Sequence, residues 1–344
     1  MHRLNKPTAT PSPLVTWMAR WIFPEHVILL GMGLLLGSIW IFFDPDHWRG
    51  FRGFSIRTSA ISMLVLVALA FISRGRALFR GPEARRDATR AAIRVIREWL
   101  PFVLAVLVYE NLHDATNVVR PDTMDAPLAA ADLAIFGVQP TIWLEQHLAT
   151  PLFTDYLLFC YSGFFFFPPG ILLAILYLRG DERAFRTVAF SVLACFCLGF
   201  VGYITVPAIG PRFVLREAYL NPVLGGLLFG NNATEIFVPY EQVMRDCFPS
   251  LHTAISTVSI ASYWRFRNLL PGRSLAFFLL LPFIVSLWFS TVYLRQHWVV
   301  DVFAGWTLAT FVLWLAPVVV RRWLSLRDRV TAGTGWVNEW RGQA

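Results

Sequence analysis

His252 lies in the run Cys247-Phe248-Pro249-Ser250-Leu251-His252-Thr253, and His297 in Tyr293-Leu294-Arg295-Gln296-His297-Trp298-Val299-Val300-Asp301. Pro and Ser just ahead of an apolar run mark a helix start, with Ser250 as its N-cap. The first turn of a helix presents unpaired N–H groups and a partial positive charge, which suits phosphate. A histidine in that turn can hand a proton to a bound phosphoester. The same features also describe an ordinary capped helix with an interfacial histidine. His297 and Asp301 are four residues apart, so a helix sets them on one face. Asp301 lies a turn inside an apolar run, where an ionisable group is costly and marks a functional candidate. A carboxylate bonded to one imidazole nitrogen fixes the tautomer and leaves the other nitrogen as nucleophile or base. A self-satisfied structural pair is the plain alternative. His2, His26, His47 and His147 fall in tails, at span ends or in a surface loop and read as solvated or interfacial.

Composition dictates what kind of element carries these residues. Of 344 residues, 56% are hydrophobic and 15% charged, with a mean hydropathy of +0.54. A soluble domain averages roughly 45–50% apolar and about 25% charged. The balance excludes a disordered chain, a basic nucleic-acid-binding domain and an ordinary cytosolic enzyme, and indicates an all-α polytopic membrane protein. No nucleic acid is expected as a partner, and the net charge of +8 instead reflects basic loops on one side of a membrane. The four cysteines, Cys160, Cys195, Cys197 and Cys247, are too few for a disulfide framework and read as small buried hydrophobes.

Eight apolar segments follow one another, at 26–43, 56–73, 99–118, 152–178, 186–207, 248–264, 275–294 and 298–320. Most have about the 20 residues that a membrane-crossing helix needs. The sixth is the shortest. No small-residue cleavage site follows the first, so it reads as retained. With the N-terminus inside, 22 of the 30 basic residues fall on inner segments, eight of them between Arg74 and Arg97. The positive-inside rule then puts both termini in the cytoplasm. The stretch 82–98 also reads as an amphipathic surface helix.

Two outer segments are long. Residues 119–151, punctuated by Pro121, Pro127, Pro140 and Pro151, suggest short amphipathic helices on the membrane surface. Residues 208–247 are rich in Gly, Asn and Pro and read as an irregular loop. This topology starts the sixth span, with His252, and the eighth, with His297, at the same outer face. Arg212, in Gly210-Pro211-Arg212, follows the fifth span there. Two histidines, Asp301, Arg212 and Arg295 thus converge on one interface, and arginine suits bidentate binding of phosphate oxygens. Glu110, His113 or Asp114, and Asn117 recur at helical spacing near the outer end of the third span. They read either as a polar pocket for a headgroup or acceptor, or as a helix end emerging into water.

These residues resemble the type 2 phosphatidic acid phosphatase superfamily, with its motifs Lys-x6-Arg-Pro, Pro-Ser-Gly-His and Ser-Arg-x5-His-x3-Asp. The second reads Pro249-Ser250-Leu251-His252 here. The third runs from Ser290-Thr291 to His297 and Asp301, followed by Val302-Phe303-Ala304-Gly305. Leu251 replaces a glycine and Thr291 an arginine. The only lysine is Lys6, so the first-motif lysine is absent, and Pro207 with Gly210-Pro211-Arg212 is the nearest counterpart. These departures, with Arg295-Gln296 before the histidine, are similar to the branch that includes inositolphosphorylceramide synthases, which also tends to have extra N-terminal spans.

The resemblance implies a six-helix catalytic core at 99–320, preceded by a tail, two extra spans and a basic loop at 1–98 and followed by a basic tail at 321–344. It implies a metal-independent reaction with no cofactor. His297 attacks phosphorus, Asp301 holds His297, and His252 protonates the departing oxygen. Arg212, Arg295 and Ser250 bind the phosphoryl oxygens. Water or an alcohol then resolves a phosphohistidine, and the substrate is a membrane lipid. The expected activity is lipid phosphotransfer, with a lipid phosphate phosphatase as the nearest alternative. A lipid transporter with a degenerate site is the rival of another class, but transporters tend towards repeats and mid-membrane sites. Here no repeat is visible, and the ionisable residues gather at one face.

Overall fold

The computed structural model describes residues 12–42, 55–78, 80–221, 223–228, 244–332, 334 and 340. They form α1 (Pro13–Trp21), α2 (Pro24–Phe42), α3 (Arg57–Ile72), the short α4 (Gly75–Leu78), α5 (Pro82–Glu110), α6 (Leu112–Val119), α7 (Asp125–Phe136) and α8 (Pro140–Leu148). There follow α9 (Pro151–Leu178), α10 (Glu182–Thr205), the short α11 (Pro211–Val214), α12 (Leu251–Arg265), α13 (Leu275–Tyr293) and α14 (Val299–Thr331). No β-strand occurs among the described residues; Ala208 and Asp246 make one isolated bridge. The expected all-α polytopic bundle is what forms, and every expected span is helical. The basic 82–98 stretch is continuous with the third span rather than a separate surface helix.

Five helices are each long and apolar enough to cross a membrane: α2, α9, α10, α13 and α14. The other three expected spans differ for physical reasons. α3 has only 16 residues and α12 only 15, while α5 carries charge along its first half. α12 can be short and rich in hydroxyls because it is the central helix, with α9, α10, α13 and α14 packed around it. Its Ser256, Thr257 and Ser259 return their hydroxyl protons to carbonyls three or four residues back, which satisfies these three donors within the helix. α7 and α8 meet at 61° and together are apolar enough to form a broken or re-entrant segment. Gly137, at φ +71°, makes the bend, a left-handed conformation that glycine adopts without steric cost.

The two ends of the bundle are held by different chemistry. At the end away from the histidines, Arg186 of α10 is wholly buried. It pairs with Glu25 of α2 at 2.6 Å and with Glu98 of α5, and lies 3.4 Å from the ring centre of Phe23. Arg327 of α14 pairs with Glu182 of α10, and Arg20 reaches Thr334 at 2.9 Å. α2 is therefore tied to α10 by a buried ion pair. α3 packs on α5. Arg186→Met would leave Glu25 and Glu98 buried without their cation. Breaking a buried pair costs about 3–5 kcal/mol, so thermal unfolding in detergent should occur several degrees lower than for the wild type.

Candidate active site

The second motif is built by helix capping and by glycines on its neighbours. Ser250 caps α12, its Oγ accepting the Thr253 N–H at 3.3 Å. Its backbone N–H donates to the Asp301 carbonyl at 3.1 Å, which joins the first turn of α12 to that of α14. Three glycines let helices close on this turn. A Cβ at Gly305 of α14 would lie 2.6 Å from the Ser250 carbonyl oxygen. One at Gly202 of α10 would lie 2.3 Å from Pro249 Cδ, and one at Gly199 2.5 Å from Leu251 Cδ2. Leu251, where the resembled motif has glycine, is thus accommodated by a glycine on the facing helix.

The third motif turns on the break between α13 and α14. The Thr291 carbonyl accepts both the Gln296 and the His297 N–H at 3.0 Å. Arg295 takes the left-handed conformation at φ +63°, the position usually given to glycine after a helix end. The chain then re-enters a helix at Trp298. Asp301, fully buried in the first turn of α14, accepts the Trp298 N–H at 2.8 Å and the Cys247 thiol at 2.9 Å, both on Oδ2. His297 Nδ1 stands 3.5 Å from the same oxygen, and only 2.7 Å from the Cys247 carbonyl oxygen. The closer partner of the imidazole is therefore the Cys247 carbonyl, with Asp301 beside it. A carbonyl can only accept, so Nδ1 carries the proton and Nε2 keeps its lone pair.

His252 is clamped between rings. Tyr161 and Phe165, one turn apart on α9, place their centroids 4.2 and 4.3 Å from its imidazole. His252 and His297 are 5.9 Å apart between ring centres, with planes at 60°. Reacting atoms approach to about 3–3.5 Å before bonding, so the gap is of the size for one phosphorus centre between the two imidazoles. Cys247 Sγ, His297 Nδ1 and Asp301 Oδ2 lie within 4.8 Å of one another, a spacing that suits a divalent transition metal. Two of these three groups hold their protons on hydrogen bonds, the thiol to Asp301 and Nδ1 to the Cys247 carbonyl. Burial, and then the Asp301 charge, push the Cys247 thiol well above its usual pKa, which opposes the thiolate that a metal would need.

The two arginines are placed differently. The backbone N–H of Arg212, at the start of α11, donates to the Arg295 carbonyl at 2.9 Å, and its buried guanidinium lies 4.5 Å from the Phe213 ring centre. A Cβ at Gly210 would meet the Gln296 carbonyl at 2.8 Å, so this strand of chain runs tight against the His297 loop. The Arg295 guanidinium is committed elsewhere. It donates to Glu145 at 3.0 Å and to the Asn221 carbonyl at 2.8 Å, and stacks 3.6 Å from the Tyr219 ring centre. The residue expected at the phosphate is thus also the buried partner of Glu145. Glu110, expected in an acceptor pocket, also has other work. Its carboxylate accepts the Thr58 and Ser59 N–H groups at 2.5 and 3.1 Å and so caps α3. The Asp114 side chain lies outside the described residues. Asn117 is on α6, half-buried.

Four buried carboxylates that motif spacing did not single out hold the loops in place. Asp125 of α7 accepts the Ile209 and Gly210 N–H groups at 2.9 Å and the Trp298 indole N–H at 3.1 Å. Asp132 accepts Val299 and Val300 N–H at 2.8 and 3.0 Å, capping α14. Glu145 of α8 takes Leu220 and Asn221 N–H besides Arg295, and Asp155 of α9 takes Leu228 N–H. The signal for them was a carboxylate inside an apolar helical segment, where an ionisable group is expensive unless paired. Through Asp125, Asp132 and Glu145 the α7–α8 pair is docked on the start of α14 and on the loop that carries Arg295.

A family model described as the PAP2 superfamily, the type 2 phosphatidic acid phosphatases, matches residues 127–315. That is more than half of the chain and contains both histidines, Asp301, Arg212 and Arg295. The chain belongs to this superfamily. Membership supports a membrane function of the lipid phosphatase or phosphotransferase type. No curated protein and no solved structure gives a match. The close seat of Gly305 on Ser250 makes a direct test of this geometry. Gly305→Ala should overpack the contact between α12 and α14, costing about 1–3 kcal/mol in detergent unfolding. It should also lower turnover by more than an alanine at the open Gly170.

Proposed function

We propose that this protein moves a phosphoryl-containing group from a lipid donor to an alcohol acceptor through a phosphohistidine at His297. The observation that carries the reading is the imidazole's orientation. Nδ1–H is held by the Cys247 carbonyl at 2.7 Å with Asp301 beside it, and Nε2 is left with a lone pair. In the first step Nε2 bonds to phosphorus, the bond to the departing oxygen breaks, and His252 gives that oxygen a proton. In the second step an acceptor hydroxyl attacks phosphorus, the P–N bond breaks, and His252, now neutral, takes the hydroxyl proton. Arg212 and the N–H groups of the Ser250-capped turn offset the charge on the phosphoryl oxygens. Arg295 acts as a positioning residue, with Glu145 holding the loop that aims His297.

Transfer rather than hydrolysis is supported by burial: His297 is 4% exposed, and α7 bonds the start of the helix that follows it. A transferase needs an oriented alcohol and some exclusion of water. The missing first-motif lysine and Thr291 support a place near the inositolphosphorylceramide synthase branch. Glu110's duty at α3 favours the rival phosphatase, since it removes one expected acceptor ligand. His297→Ala should abolish turnover and leave the folded protein intact. His252→Ala should be nearly as damaging with a lipid donor but partly rescued by a donor with a good leaving group. Equal loss with both donors would exclude the general-acid role. Purified enzyme given a phospholipid and a polyol or ceramide-like acceptor should form a new phosphodiester lipid. Release of inorganic phosphate whatever the acceptor would replace transfer by hydrolysis, and transport without any phosphorus chemistry would replace both.

For orientation, we propose cytoplasmic termini and an outward-facing site. The meeting of Arg20 with Thr334 at the end opposite the histidines supports it, as does the concentration of arginine there. A cysteine at position 120 should react with an impermeant thiol reagent on intact cells, and one at position 84 only after permeabilisation. The reverse pattern would put the site in the cytoplasm.

A further inference from the structure

The ring of helices around α12 has one open seam. α9 packs closely on α10 and α13, and α10 on α14, whereas α13 and α14 scarcely touch. The seam is an apolar cavity of about 540 Å³, lined by Trp143, Val285, Trp288, Val302, Phe303 and Trp306 among others. Its inner wall leads to the site. Val292, Val302 and Leu144 belong to one buried cluster with Tyr161, the ring that stacks on His252. Its mouth, where Val285, Phe303 and Trp143 are exposed, opens sideways where hydrocarbon surrounds the helices.

Two indoles meet edge to face in this cavity, 5.4 Å apart, and they differ in one respect. The Trp288 N–H donates to Ser256 Oγ at 2.9 Å. The Trp306 N–H is buried with no hydrogen-bond partner. A buried indole N–H ordinarily finds an acceptor, and an unmet donor in an apolar wall is costly. Trp306 lies seven residues beyond Val299, about 10 Å along the helix axis inward of the histidine. A lipid whose phosphate sits at His297 has its ester or amide carbonyl below the phosphate and its chain below that. We propose that the seam holds a hydrocarbon chain of the lipid substrate, with the Trp306 N–H donating to the carbonyl that joins chain to headgroup. This rests on the lipid-donor reading above and assigns the side from which the donor is taken.

The test compares wild type, Val285→Trp and Trp306→Phe in detergent. The substrates are phosphatidic acids with six-carbon or eighteen-carbon chains, and p-nitrophenyl phosphate, which has neither chain nor carbonyl. Val285→Trp, which fills the mouth, should lower kcat/KM about tenfold for the long-chain lipid and less than about twofold for the short-chain one. Trp306→Phe should raise KM for both lipids and leave p-nitrophenyl phosphate unaffected. Parallel loss on all three substrates, or no loss on the long-chain lipid, would overturn the proposal. If the wild type turns over none of them, with or without a polyol acceptor, phosphomonoesters are excluded as donors and the lipid-phosphatase reading fails instead. The seam is then judged by a phosphatidic acid with a photoreactive chain. Labelling between Val285 and Trp306 that Val285→Trp suppresses supports it, and labelling that the substitution leaves unchanged refutes it.

Discussion

Everything at the site depends on how Asp301 is held, with its donors gathered on Oδ2. A carboxylate fully removed from water in the first turn of a membrane helix must collect donors or it cannot remain charged. It collects the Trp298 N–H and the Cys247 thiol, and sits beside His297 Nδ1. Its own backbone carbonyl takes the Ser250 N–H. One residue therefore caps α14, anchors the approach to α12 and stands next to the proposed nucleophile. Removing that carboxylate loosens three connections at once.

The surrounding architecture follows the same rule. Four stretches at this end of the bundle are pinned by buried carboxylates that accept backbone N–H groups: Asp125, Asp132, Glu145 and Asp155. A carboxylate at a helix start gains from the helix dipole as well as from the hydrogen bonds. Asp125, Asp132 and Glu145 hold the α7–α8 pair to the chain on either side of His297 without any regular sheet or disulfide among the described residues. The opposite end uses ion pairs between helices, centred on Arg186 and Arg327. The bundle is thus braced at both ends by charge and in the middle by apolar packing, with the α13–α14 seam as its loose side.

The spans were legible in the sequence because hydropathy and helix length are local quantities. Ser250, His252, His297 and Asp301 were legible because capping and a four-residue spacing are local too. What was not legible joins residues far apart in the chain. Asp125 meets Trp298, Glu145 meets Arg295, and Cys247 meets His297, and no spacing rule connects them. Glu110 shows the opposite failure: its helical spacing with Asn117 was visible, but the N-terminus of α3 that claims it was not. Arg295 was judged by its type and its place next to the histidine, while its direction was set by the left-handed turn. The short, hydroxyl-rich α12 read as the weakest span because hydropathy assumes lipid neighbours, and its neighbours are helices.

The central claim is that His297 attacks through Nε2 because Nδ1–H is held by the Cys247 carbonyl. Trapping the intermediate tests it most directly. Enzyme mixed with a ³¹P-observable lipid donor and quenched in base would be digested, and the modified peptide assigned by mass spectrometry and ¹⁵N–³¹P NMR. The account predicts phosphorus on Nε2 of His297. Phosphorus on Nδ1, on another residue, or on none while turnover proceeds would contradict it.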